Sequence, residues 1–268
     1  MKYTRLLFCI LILLVFVQQQ AFAQRGNLNL SFKGGMEMDQ GRIVTILLSS
    51  FIIGNMVAWS MGAYPRDFPV KPYSDLDRRT IQDLHLEIAQ NPDEADIRTE
   101  LGVIYFSHND LDKAEAVLSS AVDRNPENAE ALAVYSANEA KQSGAMWDFT
   151  WGISKLHRLG KAVDGLNRSV ELDPENFTVR LYRVNTLLGL DNRKGSFARI
   201  FDDELWFLKH IESDPDYFPW EVKLEFYKAL SAAYRAWEAS ASEAHEKKRS
   251  RHKAHIYQQN LITAGNKP

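Results

Sequence analysis

The stretch NPDEADIRTELGVIYFSHNDLDKAEAVLSSAVDRNPEN, residues 91–128, decides the architecture. It is bounded by Asn91-Pro92-Asp93-Glu94 and Asn125-Pro126-Glu127-Asn128. A proline disfavours helix in the residue before it and suits the first turn of the next, so each unit ends one helix and opens another. Gly102, Ala114 and Ala121 are small where two antiparallel helices must approach closely, and Leu101, Tyr105 and Leu118 fill the space between them. The punctuation returns at Asp173-Pro174-Glu175-Asn176 and Asp214-Pro215-Asp216. No segment shows sustained strand alternation, so the expected fold is all-α.

Pro92 and Pro126 are 34 residues apart, the period of a tetratricopeptide repeat. Ala95–Asn128 resembles that family at Leu101-Gly102, Tyr105, Ala114, Leu118, Ala121 and Pro126, with Arg98 where the family often has tryptophan. The resemblance implies antiparallel helix hairpins stacked into a solenoid over 75–241, holding a partner protein rather than catalysing a reaction. The later intervals are 48 and 41 residues. Their excesses over the first are close to four and two whole helical turns, which keep apolar faces in phase. The expectation is a second hairpin with both helices about two turns (~10 Å) longer. Its ending still matches the family at Ala162, Leu166, Ser169 and Pro174. The third unit fades, and Phe197–Ile211 is only helix-like. Leu230, Ser231 and Tyr234 suggest a fourth first helix, and Leu76–Ala89 a lone second helix with Ile81, Leu84 and Ile88 as its buried stripe.

The flanks carry other signals. Residues 1–23 have the anatomy of a secretory signal peptide: a basic start, the apolar run Leu6–Val17, and Ala21-Phe22-Ala23. After a connecting segment, 24–42, the stretch 43–64 is uncharged over the length needed to cross a bilayer, although Ser49, Ser50, Gly54 and Asn55 weaken it. It is expected to be a transmembrane helix. Positive charge is similar on its two sides, so orientation is not fixed by charge. From a start at Met1 the second span could stop transfer and leave the domain cytoplasmic, whereas Lys33-Gly34-Gly35 before Met36 and Met38 leaves open a start at either methionine, with the domain outside the membrane. The expected location is a bacterial inner membrane, with the repeats on the periplasmic side. Residues 65–74 form a proline-bearing linker, and 242–268 a polar, basic capping helix and tail. The run Lys247, Lys248, Arg249, Arg251 and Lys253 reads as that helix's solvated face, or as a contact for anionic headgroups.

A net charge of −3 gives no reason to expect nucleic-acid binding. Cys9 is the sole cysteine, which leaves the domain without disulfide or thiolate-metal chemistry. Gly189–Ser196 has the wrong residue order for a phosphate loop, and His245, His252 and His255 lack the glutamate spacing of a zinc-protease helix. No catalytic residue, metal or cofactor is expected. In the resembled family the first helices line a concave groove. The matching partner-contact positions are Asp96, Thr99, Val103 and Phe106, then Glu130, Ala133, Ala137 and Ala140, then Thr178, Leu181, Asn185 and Leu188. Thr99, Val103, Val134, Thr178 and Tyr182 stand where some relatives clamp a C-terminal carboxylate, so that clamp is absent. A shallow, mostly apolar groove suits an amphipathic helix or extended peptide, unless the chain itself fills it. Met146, Trp147, Phe149 and Trp151 crowd the tip of the stretched hairpin. They make either a patch for a partner or a small local core. The expected function is a membrane-anchored scaffold or assembly factor. The alternative is an accessory component of a periplasmic transport or cytochrome-maturation machine.

Overall fold

The computed structural model describes residues 29–32, 36–60, 65–146, 153–190 and 194–265. The leader-like segment 1–23 lies outside the described residues, as do Trp147, Phe149 and Trp151 of the hairpin tip. Two units divide the chain: Met1–Arg66 with Met146–Leu156, and Asp67–Ala145 with His157–Pro268.

In the first unit, β1 (Asn29–Phe32) and β2 (Met36–Asp39) pair antiparallel, Asn29 opposite Asp39 and Phe32 opposite Met36. This short ribbon is an addition to the expected all-α architecture. Strands this short show no alternation long enough to read, and the sequence between them, Lys33-Gly34-Gly35, is of the glycine-containing kind that joins hairpins. Helix α1 follows over Gln40–Ser60. Val44, Ile46, Leu47, Leu48, Ile53, Met56 and Trp59 are exposed on it. No helix among the described residues is long and apolar enough to cross a membrane; the span expected at 43–64 runs on into residues 61–64, outside the described residues. Arg42, Thr45, Ser49, Ser50, Gly54 and Asn55 dilute α1. Thr45 and Asn55 turn their side chains back onto the Gly41 and Phe51 carbonyls, at 2.8 Å each.

The second unit is a succession of helices: α2 (Asp75–Gln90), α3 (Ala95–Ser107), α4 (Leu111–Arg124), α5 (Ala129–Ala145), α6 (Ile153–Leu172, whose first turn belongs to the other unit), α7 (Phe177–Leu188), α8 (Lys194–Ser213), α9 (Trp220–Ser240) and α10 (Ala244–Gly265). Some of their starts are set by side chains. Ser74 and Asp77 form a reciprocal capping box on α2, and Asn176 accepts from the Thr178 and Val179 N–H groups to cap α7. The turn from α3 to α4 needs a left-handed residue, supplied by Asn109 at φ 59°. Neighbouring helices pack as hairpins, α3 on α4 and α9 on α10, while the first helices α3, α5 and α7 contact one another in sequence.

The whole-turn expectation for the second hairpin is met only in part. α5 has 17 residues where α3 has 13, and α6 has 20 where α4 has 14. Of the 14 extra residues, ten therefore lengthen helices and four widen the connection between them. One added turn in α5 and under two in α6 replace the expected two in each.

Three apolar clusters hold the unit together. The first joins Leu84, Leu101, Tyr105, Ala114, Leu118 and Val134, and the second Ala129, Ala133, Leu166, Val170 and Val179. Here the close approach rests on small residues: a Cβ at Gly102 would run into the Leu118 side chain. The third cluster, over α7–α10, is aromatic, with Phe207 stacked on Phe226 at 4.5 Å and Phe201 on Tyr234 at 5.0 Å. Two consecutive buried carboxylates of α8 clamp it. Asp203 accepts from Arg180 (2.6 Å) and from Arg183 at both carboxylate oxygens (2.6 and 2.9 Å). Glu204 accepts from Tyr234 (2.5 Å), Lys253 (3.0 Å) and Tyr257. Burial first, then Glu204, pushes both phenols well above the usual tyrosine range.

Candidate partner groove

The groove is organised by Asn128. Its Oδ1 accepts from the Ala131 N–H (2.9 Å), capping α5, while its Nδ2 donates to Asp96 Oδ1 (2.7 Å) on the first turn of α3. One side chain thus fixes the spacing of two adjacent first helices. Between them opens a cleft of about 240 Å³ lined by Asp96, Thr99, Glu100, Val103, Asn128 and Glu130. Thr99 is buried and gives its hydroxyl to the Ala95 carbonyl (2.9 Å), so it contributes wall. Asp96 and Glu100 are exposed and Glu130 half-buried. No cation among the described residues forms an ion pair with any of the three. Burial, and then the charge of Asp96, pushes the Glu130 carboxyl up. Tyr182 of α7 is pushed up to about 12 by burial, with Glu130 adding to it.

Toward the C-terminal end of α3 the character changes. Phe106 meets Tyr182 edge-on, with centroids 5.9 Å apart, and the Lys141 ammonium lies 4.1 Å from the Phe106 ring centre. Lys141 donates to Asn109 Oδ1 (3.0 Å). Burial, and then the like charge of Lys71, holds its ammonium below the ordinary lysine value. The extended linker 67–73 straps this end: the Lys71 N–H donates to the His108 carbonyl (2.7 Å), Asn109 donates to the Pro69 carbonyl (3.2 Å), and Tyr73 stacks on His108.

Of the residues expected to face a partner, Thr99 and Val103 share the cleft. Phe106 is half-buried beyond it, under Tyr182 and Lys141. Ala133 and Ala137 are sealed, at 0% and 1% exposure. That corrects the small-residue groove floor: Ala133 packs against Leu166, Val170 and Val179, with Tyr182 alongside. Leu181 and Leu188 lean into the aromatic core, and Asn185 is exposed apart from the cleft. Met146 is half-buried. The groove is also less apolar than expected, since its mouth is acidic. Glu100, Asn128 and Lys141 lie outside the repeat positions used to place the groove. Asn128 had a local signal, as an N-cap residue one position before a helix. Lys141 had none, because its place depends on Phe106 coming from another helix. The basic run of the cap splits: Lys247, Lys248, Arg249 and Arg251 are exposed, whereas Lys253 reaches back to Glu204. Among the described residues no group of three or more His, Cys, Asp or Glu could hold a metal ion.

A family model described as tetratricopeptide repeat matches residues 85–137, from the second half of α2 into α5. Among solved structures, the chain is similar to a thermophilic TPR protein of Thermus thermophilus, with 12% identity and a TM-score of 0.46 over 80% of this chain and 99% of that one. No curated protein matches the chain. The matched segment carries Leu101-Gly102, Tyr105, Ala114, Leu118 and Ala121 at the packing positions described above, so the similarity to the tetratricopeptide repeat family rests on residues 85–137.

Proposed function

We propose that this chain is an interaction scaffold or assembly factor that holds a segment of a partner protein in the groove between α3 and α5. The observation that carries this is the cleft between the two first helices, where three carboxylates without a cationic partner among the described residues stand beside the apolar Val103. An unneutralised, partly desolvated carboxylate group is a cost to the free protein that a cationic partner removes. Glu100 is exposed, so Glu100→Arg tests the groove without disturbing packing. Affinity capture from cell extract should recover a partner with the native chain and lose it with the variant, at unchanged melting temperature. Equal recovery by both would rule the groove out.

The uncharged apolar stretch 43–64, taken as a single N-terminal anchor after a start at Met36 or Met38, supports a place at the bacterial inner membrane, with the repeats on the periplasmic side. Fractionation with external protease is the test. Sedimentation with membranes and cleavage in spheroplasts are expected, and a fully soluble, protected protein would refute this location.

A further inference from the structure

The groove has opposite charges at its two ends. At one end are Asp96, Glu100 and Glu130, with no cation paired to them among the described residues. At the other is Lys141, half-buried against the Phe106 ring and hydrogen-bonded to a neutral amide oxygen. The charge that acts on Lys141 is Lys71, of the same sign. Val103, Phe106 and Tyr182 form an apolar ridge between the ends.

The acidic first turns also complement the dipoles of α3 and α5. That role alone would favour the ionised form of Glu130. Burial instead works against the charged form of both Glu130 and Lys141. Two charges held against desolvation, at opposite ends of one groove, are suited to a partner that neutralises each.

Building on the proposed groove, we propose that it takes an extended partner segment in a fixed register. A Lys or Arg side chain of that segment sits at Asp96, Glu100 and Glu130, and a carboxylate meets Lys141. Along α3, six to ten residues separate Glu100 and Asp96 from Phe106, or roughly 9–15 Å. An extended chain covers that distance in about three to five residues. The positions by which some relatives clamp a C-terminal carboxylate hold Thr99, Val103, Val134, Thr178 and Tyr182, so Lys141 supplies its cation from a different place. The carboxylate comes from an acidic side chain or from a chain end.

The full chain is titrated with fluorescent peptides on a Ser/Val frame. They carry one Arg and one Glu at separations of one to eight residues, in both orders. A parallel set replaces Glu by Gln with either a free or an amidated C-terminus. The expected result is tightest binding at three to five residues' separation. Replacing Glu by Gln should weaken the native protein roughly tenfold and leave Lys141→Gln unaffected, while Lys141→Arg keeps the preference. Recovery of affinity by the free C-terminus alone assigns the carboxylate to a chain end. Binding indifferent to separation, binding of which Lys141→Gln keeps the full Glu preference, or no binding by any peptide would each overturn the proposal. If Glu100→Gln weakens binding and Lys141→Gln does not, the groove stands and the register falls. If neither matters, both fall. Lys141→Gln should melt no lower than the native chain, which separates lost binding from lost fold.

Discussion

The first repeat and the C-terminal block build the same kind of helix hairpin by different means. In α3 and α4 the helices touch through Gly102, Ala114 and Ala121, with Leu101 and Leu118 fully buried between them. In α7–α10 the space is taken by Phe207, Phe218, Phe226, Tyr234 and Tyr257, and Asp203 and Glu204 pin the helices through buried ionic contacts. The first mode depends on residue size at fixed spacing, so it leaves a regular sequence signature. The second depends on pairings 20 to 53 residues apart, which no local pattern announces. The groove belongs to the first mode. Its first helices are held by small contacts and one bridging Asn128, leaving the outward carboxylates to meet a partner.

The contrast can be broken hardest at Asp203. Asp203→Ala strands Arg180 and Arg183 without their buried counter-charge, and is expected to cost about 3–5 kcal/mol in urea unfolding. Hydrogen exchange should accelerate most in α7–α9 and least in α3–α4. Next comes Gly102→Ala, which forces a methyl into Leu118 and should cost about 1–3 kcal/mol. The same glycine-to-alanine change at Gly160, where the added carbon meets nothing, should leave the melting temperature level or raise it slightly. Tyr257→Phe removes one donor to Glu204 and should cost about 1–2 kcal/mol, again within the C-terminal block.

The smallest effect has the opposite sign. Glu130 is pushed up in the folded state, so the native protein holds its proton more tightly than the unfolded chain does. Its contribution to stability is therefore present below the unfolded glutamate value and lost as pH rises through the folded one. Glu130→Gln should stabilise the chain by less than about 1 kcal/mol at neutral pH, and this gain should vanish in acid. A stabilising change that weakens partner capture is what a binding residue predicts, and a merely structural one does not.

Much of the fold was legible because its signals are local. The Asn-Pro and Asp-Pro units end helices by backbone chemistry, and Asn125 and Asp214 accept from the N–H two residues on. The residues Ile81, Leu84 and Ile88 on α2, and Leu230, Ser231 and Tyr234 on α9, follow helical period and pack inward. Other features escaped for physical reasons. The β1–β2 hairpin is four residues a side, too short for alternation to register. The groove positions carried over from the family place Ala133 and Ala137 on its floor, yet both are buried, Ala133 in a cluster that Val179 and Tyr182 of α7 complete. The charge of the groove was half readable: Asp96 and Glu130 stand at matching positions of successive first helices, while Lys141 is drawn in by Phe106 across a helix boundary.

If partners are held on the α3–α5 face, a photo-crosslinking residue there should trap them. One such residue replaces Val103 in the cleft and, in a separate variant, another replaces Ala116, exposed on α4. Illumination in living cells is predicted to give a discrete partner adduct from position 103 that disappears with Glu100→Arg, and none from position 116. An adduct from position 116 with none from 103, or one from 103 that survives Glu100→Arg undiminished, would contradict a groove between the first helices.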